Sequence, residues 1–151
     1  MAEIYEILTN DIVLSFALAV IITQIIKFII EWKKRKKADI KYMWETGGMP
    51  SSHSAAVTAL ILSVYFVEGV TTLFLITTAF GLIVIRDAFG IRHETGEQAR
   101  TINKIIKDLK LEKRFMTKRL KELLGHTTTQ VQAGIIIGFS ISVIVHYLIL
   151  N

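Results

Sequence analysis

GGMPSSHSAA, residues 47–56, separates a basic polar segment from a long apolar run and therefore predicts a loop that turns into a helix. Its two glycines permit tight backbone conformations, and its proline is the only one in the chain. Ser51, Ser52 and Ser54 are favourable N-cap residues, and the N–H groups of a first helical turn attract phosphate. His53 adds a titratable imidazole beside that turn. An ordinary capped helix with a surface histidine is the simpler interpretation of the same residues.

The composition indicates an integral membrane protein of a single domain, residues 1–151. Hydrophobic residues make up 52% of the 151 residues, and the mean hydropathy is +0.48. The absence of cysteine excludes disulfides and thiolate metal sites. The formal charge of +5 comes from basic residues between the apolar blocks, where anionic lipid headgroups would lie. A chain this apolar argues against nucleic acid as the partner.

The apolar blocks predict an all-α bundle of about four transmembrane helices plus a cytoplasmic amphipathic helical segment. The two middle blocks form a tight hairpin that turns at Glu68-Gly69. The basic run Lys33–Lys37 follows the first block, which places that end in the cytoplasm and the N-terminus outside. The crossings are expected at about 12–32, 54–68, 70–86 and 127–150, and the amphipathic segment at about 95–124.

With four crossings, His53 and His126 both stand at the cytoplasmic start of an apolar helix, on the same side of the membrane. Imidazoles, hydroxyls, helix N-termini and Arg/Lys side chains suit phosphoryl transfer, which needs positive charge around the transferred phosphate. A metal site is the rival use of paired histidines, but few carboxylates, mainly Asp87 and Glu94, lie near them in the sequence. Gly134-x-x-x-Gly138 in the last block predicts a face for close helix packing.

Three motifs resemble those of the type 2 phosphatidic acid phosphatase and vanadium haloperoxidase superfamily. Residues 50–55, PSSHSA, are similar to its Pro-Ser-Gly-His motif. Residues 126–134, HTTTQVQAG, are similar to its closing motif, in which a histidine is followed four residues later by aspartate. Lys27 with Lys34 or Arg35 is faintly similar to its opening basic motif. The chain resembles a small, divergent bacterial branch over most of residues 24–138.

The resemblance implies a role for each matched residue. His126 would be the nucleophile that forms a phosphohistidine, and His53 would be the general acid that protonates the leaving group. Family members need no metal ion, so no metal site and no cofactor are expected. The resemblance also implies phosphate-binding residues: Ser51 and Ser52 with backbone N–H groups of their turn, Lys27, and Lys34 or Arg35.

Several positions depart from the family pattern. Ser52 replaces a glycine, and Gln130 stands where an aspartate orients the nucleophilic histidine. An amide oxygen accepts a proton from imidazole but does not offset imidazolium charge, so catalysis should suffer. Asp87 would either orient a catalytic group or pair with a neighbouring arginine. The family's arginine before the nucleophile is also missing, and three arginines are candidates to replace it: Arg86, Arg92 and Arg119.

The leading hypothesis is a membrane-embedded phosphatase, an acid-phosphatase-like hydrolase of a lipid phosphate or a prenyl (pyro)phosphate, acting at the cytoplasmic leaflet of a bacterial plasma membrane. Two alternatives stay open: a non-catalytic phospholipid- or phosphate-binding protein, including one that helps lipid translocation, and a structural membrane subunit. The expected partners are membrane lipids and the phosphorylated substrate. Fewer helices are predicted than in the family's six-helix core, so a homodimer that completes the fold also stays open.

Overall fold

The structure is a computed structural model, and it describes residues 10–36, 48–109, 120 and 126–149. These residues form helices and connecting turns with no strand among them, so the predicted all-α fold is confirmed. The helices are α1 (Asp11–Arg35), α2 (Ser52–Glu68), α3 (Thr72–Phe89), α4 (Ile91–Asp108) and α5 (Thr128–Ile144), and α5 continues into a π-helical turn, Val145–Ile149.

Four of the five helices begin at side-chain caps, whereas α4 begins after Gly90 without one. The Asn10 side chain accepts a hydrogen bond from the Ile12 amide at 2.9 Å at the start of α1. Ser51, Thr71 and Thr127 cap α2, α3 and α5 in the same way. These residues accept bonds from first-turn amides that have no partner inside the helix. The starts of α1, α2, α3 and α5 are therefore fixed by capping residues that can be recognised in the sequence.

The predicted turn between α2 and α3 is present. Gly69 ends α2 with a φ of 71°, a left-handed conformation that glycine adopts without steric cost. Thr71 then caps α3 by accepting a hydrogen bond from the Phe74 amide at 3.3 Å. The short turn makes α2 and α3 antiparallel neighbours, so the end of α3 returns to the end of the bundle where α2 starts.

Helix α2 is central and packs against α1, α3 and α5. Glycines bring α5 very close to it: a Cβ on Gly134 would meet the carbonyl oxygen of Ser51, and one on Gly138 would meet that of Ala55. The prediction that these two glycines form a close packing face is confirmed. Beyond them lies a core of small and branched side chains: Ala19, Ala55, Ala59, Ile141 and Val145.

Two segments, Asp11–Lys34 and Thr128–Leu148, are long and apolar enough to cross a membrane by length and composition. Helix α2 is apolar but shorter. Helix α3 exposes large aliphatic side chains, such as Ile76 at 62% and Ile83 at 68%. Such an outer surface is unusual for a soluble protein and suits contact with lipid tails.

At the end of the bundle where α1 begins, Asp11 and His146 are joined. The Asp11 Oδ2 and His146 Nδ1 atoms are 2.7 Å apart, and the imidazole stacks on the Phe66 ring with 4.7 Å between the ring centroids. This cluster joins the first turn of α1 to the end of α2 and to the π-helical turn. It closes the bundle at the end opposite to Lys27 and His126.

Candidate active site

The two histidine motifs are joined through their main chains. The Ser51 amide donates a hydrogen bond to the Gln130 carbonyl oxygen at 3.0 Å, which links the loop before α2 to the first turn of α5. This approach depends on Gly134, because a side chain there would meet the Ser51 carbonyl. As a result, α2 and α5 start side by side, and the positive ends of two helix dipoles lie together.

His126 lies immediately before α5 and is held by its neighbours. Its amide donates to the carbonyl oxygen of Ala88, near the end of α3, at 2.9 Å. Its Nδ1 lies 3.2 Å from Gln130 Oε1, and the same oxygen accepts the Thr127 amide at 3.0 Å. Because an amide oxygen only accepts, the bond to Gln130 assigns the proton of the neutral ring to Nδ1 and the lone pair to Nε2.

Gln130 therefore has two tasks. It completes a capping box with Thr127, in which each residue satisfies a backbone amide of the other. It also orients the imidazole of His126, as the family's aspartate would. The difference lies in charge, since the glutamine contributes a dipole and the aspartate would contribute a full negative charge.

The surroundings of His126 hold its imidazole neutral. The pKa of His126 is lowered from its usual value, and burial is the main cause. Hydrogen bonds to Gln130 and to the backbone of Gly48 raise this pKa in part, whereas the positive charges of Lys27 and His53 lower it further. Lys27, Gly48 and His53 therefore surround the imidazole, and they lie on α1, on the loop before α2 and in the first turn of α2.

Lys27 is the buried cation of the site. Only 6% of it is exposed, although it carries an ammonium group within the apolar helix α1. The loop residue Gly48 passes directly over it: a Cβ there would lie 3.1 Å from Lys27 Cε and 3.8 Å from Glu31 Oε1. Gly48 also has a φ of 87°, so glycine suits this position both sterically and conformationally.

The serines of the first motif are placed differently from one another. Ser51 is fully buried, and its Oγ accepts hydrogen bonds from the Ser54 hydroxyl at 2.9 Å and from the Ser54 amide at 3.4 Å. The hydroxyl of Ser51 thus caps α2 in this structure, and its predicted contact with phosphate stays a prediction. Ser52 is half-buried and His53 is exposed, so these two side chains lie on the outer side of the first turn of α2.

The remaining predicted site residues are more scattered. The Lys34 side chain is 63% exposed and lies 3.7 Å from Glu31. Arg86 is exposed in the last turn of α3, and Asp87 beside it is half-buried. The side chains of Arg35 and Arg92, and all of Arg119, lie outside the described residues. Within the described part of the chain, no three His, Asp or Glu side chains are grouped as a metal site would require.

The structure thus brings together His126, Gln130, His53 and Lys27, all of which the sequence suggested. Two contacts to His126 were not anticipated, namely those from the backbones of Gly48 and Ala88. Glycine at position 48 was a usable signal, because a loop glycine commonly marks close backbone approach. Position 88 gives no such signal, because any residue could supply its carbonyl group.

These features define a helical membrane bundle in which two capped helix starts, a buried lysine and a half-buried histidine form one site. The chain matches the Divergent PAP2 family over residues 8–141, and it therefore belongs to that family. It is 39% identical to the uncharacterized membrane protein YuiD of Bacillus subtilis (strain 168), in an alignment that covers 94% of this chain and 98% of that protein. No solved structure matches. The resemblance based on the motifs is confirmed, and the protein is a membrane protein.

Proposed function

We propose that the protein is a metal-independent phosphatase that hydrolyses a lipid phosphate or a prenyl (pyro)phosphate through a phosphohistidine on His126. The observation that supports this most is the state of the imidazole of His126. Burial lowers its pKa, which favours the neutral form, and its Nδ1 is fixed by Gln130 Oε1. An oriented neutral imidazole beside a buried ammonium group is what a histidine nucleophile for phosphate requires.

The reaction has two steps. In the first, Nε2 of His126 attacks phosphorus, the P–N bond forms, and the P–O bond to the lipid breaks. The departing oxygen takes a proton from the imidazolium form of His53. In the second step, water loses a proton to His53 and attacks phosphorus, the P–N bond breaks, and inorganic phosphate leaves. Throughout, the Nδ1 proton of His126 stays on the side of Gln130.

Charge stabilisation would come from groups already in place. Lys27 supplies a buried positive charge, which acts more strongly there than it would in water. The first turns of α2 and α5 supply N–H groups and the positive ends of their dipoles. Together they would stabilise the charge on the equatorial oxygens of the transferred phosphate.

Gln130 supports a second candidate, a membrane protein that binds phosphate or a phospholipid headgroup without turnover. Its amide orients His126 but cannot offset the positive charge that appears on the ring after attack. Binding of phosphate needs only Lys27 and the two helix starts, and neither requires a negative charge at position 130. The two candidates share one ligand chemistry and differ in whether a P–O bond breaks.

Phosphate release by the purified protein in lipid separates them. The substrates are phosphatidic acid, a prenyl phosphate and a prenyl diphosphate, with EDTA present and vanadate as the inhibitor. His126→Ala removes the nucleophile, and His146→Gln is the matched control because it alters a histidine at the other end of the bundle. Release that His126→Ala abolishes and His146→Gln preserves would establish the phosphatase. Binding of vanadate without any phosphate release would favour the binding protein. In that case, Gln130→Asp should create turnover.

We also propose that the site faces the cytoplasm. The basic run that ends α1 supports this orientation, since positive loops stay inside. Because the chain has no cysteine, a single cysteine at the exposed position 36 gives an unambiguous label. Labelling of whole cells by a reagent that cannot cross the membrane would overturn the orientation, whereas labelling only after lysis would support it.

A further inference from the structure

Helix α4 carries an apolar surface that the proposed site does not use. Ile102, Ile105 and Leu109 are 44%, 50% and 63% exposed, and their spacing of three and four residues places them on one side of the helix. The adjacent side, with Ala99 and Asn103, is buried. Among the helices of the bundle, α4 makes its main contacts with α3. The three aliphatic side chains thus face away from the bundle.

The hydrogen bonds that join α4 to Leu120 do not involve these aliphatic side chains. The Asn103 side chain donates a hydrogen bond to the Leu120 carbonyl oxygen at 2.8 Å and accepts one from the Leu120 amide at 3.0 Å. This pair of bonds joins α4 to a residue 17 positions later by polar contacts. Within the described part of the chain, the aliphatic side of α4 therefore stays available for another surface.

Charge indicates what that surface is. Residues 91–124 hold ten Lys and Arg against five Asp and Glu, a balance of +5, which equals the balance of the whole chain. The other residues hold eight of each, so their charges cancel. On α4 itself, the exposed Lys104 and Lys107 lie on the side opposite to the aliphatic residues. Like the basic run Lys33–Lys37, this positive segment next to a membrane helix is complementary to anionic lipid headgroups.

We propose that α4 lies on the anionic phospholipid surface of the leaflet next to the end of α3, with Ile102, Ile105 and Leu109 among the upper acyl chains. Only Gly90 separates α4 from α3, so α4 starts at the depth where α3 ends. An apolar stripe on a charged helix of low mean hydropathy is the pattern of interfacial helices. Long lysine stems allow the ammonium groups to reach the headgroup phosphates. This proposal does not rest on the phosphatase activity.

Single cysteines in the cysteine-free chain test this placement. One variant, Ile105→Cys, places an environment-sensitive fluorophore on the aliphatic side, and Lys104→Cys places it one residue away on the charged side. The full-length protein is reconstituted in vesicles of phosphatidylglycerol and phosphatidylcholine. The probe at 105 should emit at shorter wavelength, be quenched by bromine on the acyl chains, and be several-fold less quenched by aqueous iodide than the probe at 104.

Three results would overturn the proposal. Equal iodide quenching at 105 and 104 would show that the aliphatic side faces water. Unchanged protection at 105 in vesicles of phosphatidylcholine alone would refute the role of anionic lipid, since the proposal expects protection to fall there. Efficient disulfide formation between copies of Ile105→Cys would show that a second copy of the chain covers this surface.

Discussion

Replacing Gly134 with alanine should destabilise the bundle and impair the site together. A Cβ at this position would meet the carbonyl oxygen of Ser51, and it would lie 3.1 Å from Ser54 Cβ and 3.3 Å from the Ala55 amide nitrogen. Two of these three atoms belong to the backbone, so no rotamer change relieves the contact. Helix α5 would have to move away from α2.

The size of the effect follows from opposing contributions. Glycine to alanine within a helix normally stabilises by about 1 kcal/mol. Overpacking a close contact costs about 1–3 kcal/mol, and contact with a rigid backbone favours the upper part of that range. Separation of the helices also lengthens the bond from the Ser51 amide to Gln130, worth about 1 kcal/mol. The expected net loss is roughly 2–3 kcal/mol for the sum of these terms.

Thermal unfolding in detergent and vanadate binding in lipid measure the two consequences. The matched control is Gly81→Ala, whose Cβ would meet the tip of the flexible Ile61 side chain and which should therefore cost less. Since a shift of about 1 Å in a catalytic group can cost about 100-fold in rate, the site should suffer more than stability suggests. A Gly134→Ala protein at least as stable as the wild type would refute the packing argument.

Three further predictions concern single side chains. Lys27→Gln should raise the pKa of His126, because a positive charge that lowers this pKa is lost. Phosphate release needs neutral His126, so the acid limb of its pH–rate profile should move to higher pH. Gln130→Ala should lower the pKa of His126, because a hydrogen bond that raises it is lost, and should move the acid limb to lower pH. The lost helix cap should also cost about 0.5–2 kcal/mol of unfolding free energy, measurable by thermal unfolding. Asn103→Ala should speed hydrogen exchange at the Leu120 amide, whereas unchanged exchange would contradict the described pair of bonds.

The fold was largely readable from local signals. The turn at Gly69 and the caps at Ser51 and Thr127 belong to residue types that terminate or start helices by their own chemistry. The end of the first helix was less readable: it was expected near residue 32, but α1 runs to Arg35. Lysine and arginine are good helix formers, so the basic run that marks the membrane surface also prolongs the helix.

Only the parts of the site that are formed by side chains could be predicted from the sequence. The prediction that His53 and His126 lie on the same side followed from counting crossings. The pairing of His126 with Gln130 was implied by the resemblance of residues 126–134 to the family's closing motif. The contacts from the Gly48 and Ala88 backbones did not follow, because main-chain atoms carry no residue signature. They arise from the tertiary path of a loop and of the end of α3, which the sequence does not encode locally.

The joint between the Ser51 amide and the Gln130 carbonyl bears on how such a protein changes over evolutionary time. Both partners are main-chain atoms, so neither side chain takes part in this bond, and the close approach requires that residue 134 stay small. Side chains of the two motifs can therefore change without removing the main-chain bond that sets the spacing of the two helix starts. Serine in place of glycine at position 52, and glutamine in place of aspartate at 130, are substitutions of this kind. On such a scaffold, single mutations at these positions would alter reactivity before they alter the spacing of the two helices.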